Sequence, residues 1–208
     1  MPKYFEDPLL EKAKIICLEQ MPIQGEAFED IKKYFNLYTQ NYTDTLFINN
    51  YESKYLLNIK KLIGISINVD LIDLNNRKVT LKSIISNLKG KLIYVDFWAS
   101  WCAPCRAAMP ASRKLQDDFD DKDIAFIYIS IDTDFDKWRN ASIEDNLSLN
   151  KNNLLALNYP AADFYQNLKL NTIPRYILFD KNGELVHQNA QGPKGEDIRI
   201  LLDEYLKK

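Results

Sequence analysis

Two cysteines framed as Trp101-Cys102-Ala103-Pro104-Cys105 constrain this chain more than any other stretch, because their flanks require a strand, a tight turn and a helix in succession. Leu92-Ile93-Tyr94-Val95-Asp96-Phe97-Trp98 is a short apolar run rich in β-branched and aromatic residues, the pattern of a buried strand. A helix is predicted to follow. Pro104 suits a first helical turn, where a missing N–H costs little, and Ala107, Ala108, Met109, Leu115 and Phe119 return at roughly helical spacing. Cys102 then lies at the helix N-terminus, where unpaired N–H groups and the positive dipole end stabilise a thiolate. It is the predicted nucleophile. Cys105, one turn deeper on the same face, lies within reach of the Cys102 sulfur and is placed to resolve a mixed disulfide.

Other readings of the pair are weaker. A Cys-x-x-Cys can be half of a structural zinc site, which takes about four ligands. The remaining Cys and His are Cys17 and His187 alone, which argues against zinc, and exchange between two thiols is expected to need neither a metal nor an organic cofactor. Two thiols packed as small hydrophobes is the blander alternative, against which stand the preceding tryptophan and the intervening proline. Asp96 is the oddest polar residue of the chain, since it interrupts a strand expected mid-sheet. Burial there would raise its pKa by disfavouring the carboxylate; an acid at a strand end, reaching solvent or a lysine, is the alternative.

Val95-Asp96-Phe97-Trp98-Ala99-Ser100-Trp101-Cys102-Ala103-Pro104-Cys105-Arg106 resembles the active-site segment of the thioredoxin superfamily. The continuation Cys105-Arg106-Ala107-Ala108-Met109-Pro110 narrows the resemblance to thiol-disulfide reductases of the TlpA/ResA type, and it extends over about residues 65–208 with a later Thr172-Ile173-Pro174. The resemblance implies a buried acid, here Asp96, that shuttles a proton to and from Cys105. It also implies a cis Ile173-Pro174 bond facing the disulfide, with the Ile173 backbone open to β-pairing by a substrate chain; a proline that merely starts a strand is the alternative. Trp101 is expected beside the thiols as an apolar contact, with Ala103 and Pro104 on the same substrate-facing turn, while Trp98 belongs to the core. Two departures stand out. Where thioredoxins often carry a lysine near the buried acid this chain has Tyr128, and where TlpA/ResA reductases often carry a glutamate it has Ala108.

Basic and acidic residues nearly balance, 27 against 29, so no basic patch argues for nucleic acid. No uninterrupted apolar run approaches the roughly 18 residues of a membrane span. Met1-Pro2-Lys3-Tyr4-Phe5-Glu6-Asp7 lacks a basic-then-apolar leader design, which implies either a cytoplasmic protein or a leader already removed. Relatives of this type usually work in the periplasm or cell envelope on a signal or lipid anchor, so the resemblance favours that compartment and leaves the cytoplasm open.

Residues 6–63 read as three short helices. Leu9 or Leu10, Ala13, Ile16, Cys17 and Met21 form one apolar stripe; Phe28, Ile31, Phe35 and Tyr38 a second; Tyr51, Tyr55, Ile59, Leu62 and Ile63 a third. Cys17 is expected to be a packed small side chain. Tyr34, Tyr38, Tyr42, Tyr51 and Tyr55 serve either helix packing or a docking surface. Gly64 is the natural joint, giving a helical region over 1–64 and a thioredoxin-like domain over 65–208.

From Ile67 the period becomes two. Ile67, Val69 and Leu71, a turn at 73–77, then Val79 and Leu81 predict a hairpin, and Thr80 or Ser83 can cap a short helix that Gly90 ends. Ile124 to Ile131 is a second buried strand, parallel to the first through a right-handed crossover. Asp134 to Asp145 is predicted as a helix, 146–160 as an irregular insert with a strand near Leu154 to Leu157, and Ala161 to Leu168 as a helix. Arg175 to Asp180 and Glu184 to Gln188 form a hairpin around Asn182-Gly183, and Glu196 to Leu206 is a closing helix. His187, on that hairpin, is expected at the surface.

The expected architecture is α/β: a central mixed β-sheet flanked by helices, with a helical N-terminal appendage. The expected chemistry is reduction or exchange of protein disulfides, with disulfide-bearing substrates and an upstream redox partner that resets the pair. By the same resemblance, Pro104 implies the reducing end of a range that spans roughly −270 to −120 mV in this fold. A thiol peroxidase and a partner-binding module on an inert scaffold are the rival classes.

Overall fold

The computed structural model describes residues 8–24, 28–42, 44–52 and 67–208. The chain divides into two compact units, Met1–Gly64 and Ile65–Lys208.

In the first unit, α1 (Pro8–Gln24), α2 (Phe28–Asn41) and α3 (Thr45–Tyr51) enclose Leu18, Ile31, Phe35, Tyr38, Tyr42 and Tyr51. Asp44 starts α3 by accepting the Phe47 N–H. Of the stripe expected on α2, Ile31, Phe35 and Tyr38 are buried. On α1 the expected stripe holds at Met21 and fails at Ala13, Ile16 and Cys17, which are exposed, whereas Leu18 is buried with Ile15 and Met21 packed beside it. Apolar residues run almost all the way round Ile15-Ile16-Cys17-Leu18, so two faces compete. The rings of α2 and α3 decide for Leu18, whose carbonyl accepts the Tyr51 hydroxyl at 2.7 Å. Tyr55, Ile59, Leu62, Ile63 and Gly64 lie outside the described residues.

The second unit is built on a seven-stranded mixed sheet in the order β2-β1-β5-β4-β3-β6-β7. Its strands are β1 (Asp70–Asp73), β2 (Lys78–Thr80), β3 (Leu92–Trp98), β4 (Ile124–Ser130), β5 (Asn153–Ala156), β6 (Arg175–Phe179) and β7 (Leu185–Ala190). The helices are α4 (Leu81–Asn87), α5 (Ala103–Asp118), α6 (Phe135–Glu144), α7 (Asp163–Asn167) and α8 (Glu196–Leu206). β3, β4 and β5 are mutually parallel, and β1 and β6 flank them antiparallel. Every residue of β3 and β4 is buried, as befits parallel strands covered on both faces.

Alternation sorts β3 into two faces. Ile93, Val95 and Phe97 join Ile127, Ile129, Ile177 and Phe179 in a core closed by Leu81 and Ile85 of α4 and Phe164 and Tyr165 of α7. The even-numbered residues face the other way. Asp96 stands opposite Tyr128 of β4 and Tyr176 of β6, so these three side chains share the second face. Ser112 of α5 meets the Tyr128 hydroxyl at 3.0 Å, which places α5 over that face.

Turn chemistry sets the edges. Thr80 and Ser83 form a reciprocal cap on α4. Gly183 has φ +84°, and a Cβ there would meet Ile85 Cγ2 at 2.7 Å, so the β6–β7 turn requires glycine twice over. His187 is buried, contrary to expectation: α8 lies over β7, and the Tyr205 ring meets the imidazole edge-on at 5.4 Å.

Candidate active site

β3 ends at Trp98 and α5 begins at Ala103, which leaves a four-residue turn to deliver Cys102. Cys102 is the N-cap of α5, and Pro104 lies in the first turn. The Cys102 N–H donates to the Ala99 carbonyl at 3.0 Å, and the Arg106 N–H to the Cys102 carbonyl at 3.1 Å, so the cap is bound on both sides. The Cys105 N–H points at Cys102 Sγ, 3.2 Å away. A sulfur at a helix N-terminus facing a backbone donor carries negative charge at reduced cost. Cys102 and Cys105 form a disulfide with a Cα–Cα distance of 5.3 Å. Both are buried, and Trp101 beside them is 66% exposed.

Arg106 is the nearest cation in sequence, but its charge is engaged elsewhere. Nε meets Asp145 Oδ2 and Nη2 meets Glu144 Oε2, each at 2.7 Å. Arg113 donates to the Asp145 carbonyl, so the two arginines tie α5 to the end of α6.

Asp96 lies beneath α5 on the face that the register assigns to it. It is 2% exposed, and neither carboxylate oxygen has a hydrogen-bond partner. Desolvation pushes its pKa up to about 8. The neighbouring phenols commit their hydroxyls elsewhere: Tyr94 donates to the Gln191 carbonyl at 2.7 Å, and Tyr128 pairs with Ser112. Tyr128, anticipated at the position of a lysine, is the direct cross-strand neighbour of Asp96. Ala108 is buried on α5 and offers no second acid.

Ile173-Pro174 is a cis bond. It immediately precedes β6, whose first residue, Arg175, pairs with Phe97 near the end of β3, so Pro174 and Cys102 lie at the same end of the sheet. Ile173 and Pro174 are half-buried, and Ala103 and Pro104 are exposed. Among the described residues no group of three or more metal-ligating side chains occurs.

One polar cluster at this end was not anticipated as part of the site. The Asp132 carboxylate, buried just beyond β4, receives the Ser100 N–H at 2.8 Å, the Ser100 hydroxyl at 2.6 Å and the Ser130 hydroxyl at 2.6 Å. The sequence signal was an aspartate one residue past a buried strand, but its partner Ser100 lies 32 residues away. No local pattern announces that pairing.

Residues 90–185 match the thioredoxin-like protein family. The chain is 30% identical over 142 residues to the thiol-disulfide oxidoreductase ResA of Bacillus anthracis, covering 65% of this chain and 71% of that protein. Among solved structures, the thioredoxin domain of a thiol-disulfide oxidoreductase from Bacteroides vulgatus superposes with a TM-score of 0.57 at 27% identity, over 68% of this chain and 95% of that one. A thiol:disulfide interchange protein from a Bacteroides species gives a TM-score of 0.56 at 26% identity, over 69% and 90% of the respective chains.

Proposed function

The chain belongs to the thioredoxin-like thiol-disulfide oxidoreductases of the ResA type, and from that premise we propose that it reduces protein disulfides with Cys102 as nucleophile, Cys105 as resolving thiol and Asp96 as proton carrier. The Cys102 thiolate attacks one sulfur of a substrate disulfide, forming a mixed disulfide and releasing the first substrate thiolate. Asp96 accepts the Cys105 proton. The Cys105 thiolate then attacks Cys102 Sγ and breaks the mixed disulfide, expelling the second substrate sulfur as a thiolate that takes the proton held by Asp96, and this leaves the Cys102–Cys105 disulfide. Two electrons have passed to the substrate, and a dithiol donor restores the pair.

The observation that carries this reading is the N-cap geometry: Cys102 Sγ faces the Cys105 N–H at 3.2 Å. The unpaired carboxyl beneath it supports the proton role, since a pKa near 8 lets one group both give and take a proton around neutral pH. Exposed Trp101, Ala103 and Pro104, with Ile173 and Pro174 at the same sheet end, form the surface that a substrate chain would meet. The ResA-type resemblance favours a working place outside the cytoplasm.

Trapping tests the assignment. With a disulfide-bonded protein such as insulin, Cys105→Ser should accumulate a mixed disulfide on Cys102, and Cys102→Ser should accumulate none. A potential of the wild-type pair near −250 mV or lower supports the reductive direction, and one above about −150 mV reverses it.

A further inference from the structure

We propose that the Asp132 carboxylate is a positioning residue of the exchange reaction, clamping the turn 99–102 so that Cys102 Sγ stays aligned with the Cys105 N–H. The inference rests on the assignment of Cys102 as nucleophile. Two of the three donors to Asp132 belong to Ser100, two residues before Cys102. The acceptor is itself fixed: Ser130, fully buried at the end of β4, donates its hydroxyl to Oδ2 and receives the Asp132 N–H at 3.0 Å. The Ile131 N–H donates to the Trp98 carbonyl at 2.9 Å, tying the two strand ends on which the clamp stands.

A carboxylate only 4% exposed is costly unless its lone pairs are met, and charge-assisted bonds are the strong ones. Here they are spent on the one segment whose position decides where the nucleophilic sulfur sits. Misplacing a reacting group by about 1 Å can cost on the order of a hundredfold in rate. The two buried acids at this end of the sheet therefore divide the work. Asp96 has no partner and exchanges a proton; Asp132 has three donors and holds geometry.

The test uses the full-length protein, reduced with dithiothreitol, and follows iodoacetamide alkylation of Cys102 by peptide mass spectrometry, because Cys17 is also free and exposed. Exchange with a small aromatic disulfide is measured alongside. Asp132→Ala should slow both rates about tenfold or more while the far-UV spectrum stays that of the wild type. Asp132→Asn, which keeps the shape and one acceptor oxygen, should recover part of the loss. Ser100→Ala, which keeps the backbone N–H bond, should cost a few-fold and preserves the test if Asp132→Ala does not fold. Asn153→Ala breaks a buried Trp138-Asn153-Ser142 network elsewhere and should lower the melting temperature without slowing Cys102. Wild-type rates in folded Asp132→Ala, equal losses in the alanine and asparagine variants, or an equal loss in Asn153→Ala would each overturn the proposal. Exchange surviving in Cys102→Ser would instead overturn the nucleophile assignment on which it rests.

Discussion

The described helical unit and the Asp96 site of the sheet unit both set polar groups among aromatic rings, and they treat those groups in opposite ways. In the helical unit Tyr51 donates to the Leu18 carbonyl at 2.7 Å, Tyr38 to Glu11 at 3.1 Å, and Lys14 to the Tyr42 hydroxyl at 2.7 Å. The rings stack as they do so, Phe35 on Tyr51 and Tyr38 on Tyr42 at 5.0 and 4.7 Å between centroids. In the sheet unit three tyrosines surround Asp96 by register and by electrostatic influence, yet none donates to it. Paired polarity stabilises a core. An unpaired carboxyl raises the energy of its charged form and so keeps a proton ready.

Asp96→Asn should break this contrast with the largest effect. General acid–base groups contribute typically ~10²-fold or more, so disulfide exchange near neutral pH should fall by about that factor. In the wild type the rate should rise with pH through an inflection near 8, which the variant should lack. Stability should move the other way. The folded-state pKa lies above the unfolded value of 3.8, so the unfolded chain ionises first and the folded state loses stability from about pH 4 up to about pH 8. The slope is about 1.4 kcal/mol per pH unit while only the unfolded form is charged. Urea titrations of the oxidised protein across that window should show the slope in the wild type and its loss in Asp96→Asn. A wild-type rate and slope in the variant would remove Asp96 from the mechanism.

Tyr128→Lys sharpens the same comparison with a smaller effect. It sets a cation directly across the strand pair from Asp96, at the position that a lysine often takes in the thioredoxins this chain resembles. An ammonium beside a carboxylate favours the charged form by about one pKa unit or more. The inflection in the pH–rate profile should therefore move below 8, with a change of only a few-fold at neutral pH. An unmoved inflection would mean that the titrating group is not Asp96.

How much of this was legible in the sequence follows from how local each determinant is. The strand, turn and helix around Cys102, the polar intruder at Asp96, the Thr80-Ser83 cap and the Asn182-Gly183 turn are written in a few adjacent residues, and the structure holds each where the pattern puts it. Other determinants are tertiary. His187 is buried because Tyr205 of α8 packs on it, and Cys17 is exposed because the rings of α2 and α3 choose one of two apolar faces on α1. The cis bond at Tyr159-Pro160 and the Ser100-Asp132 clamp carry no local signature that sets them apart from an ordinary X-Pro bond or a loop aspartate. The residues proposed to perform chemistry were more readable than those proposed to hold them in place, because chemistry demands particular residue types whereas support demands only a partner at the right distance.

Tyr51→Phe probes the other side of the comparison and should give the smallest effect. The substitution keeps the ring that stacks on Phe35 at 5.0 Å and removes only the hydroxyl that reaches the Leu18 carbonyl. A buried neutral hydrogen bond contributes about 1 kcal/mol net, so the helical unit should lose roughly that much, seen as a lower midpoint in denaturant or earlier amide exchange in α1 and α3. The rate of disulfide exchange should not change, because the unit supplies no group to the proposed chemistry. A loss of exchange matching the loss of stability would show that the helical unit contributes to the reaction. Unchanged exchange beside a measurable destabilisation would confine the chemistry to residues 65–208 and leave the paired polar groups of residues 1–64 to structure alone.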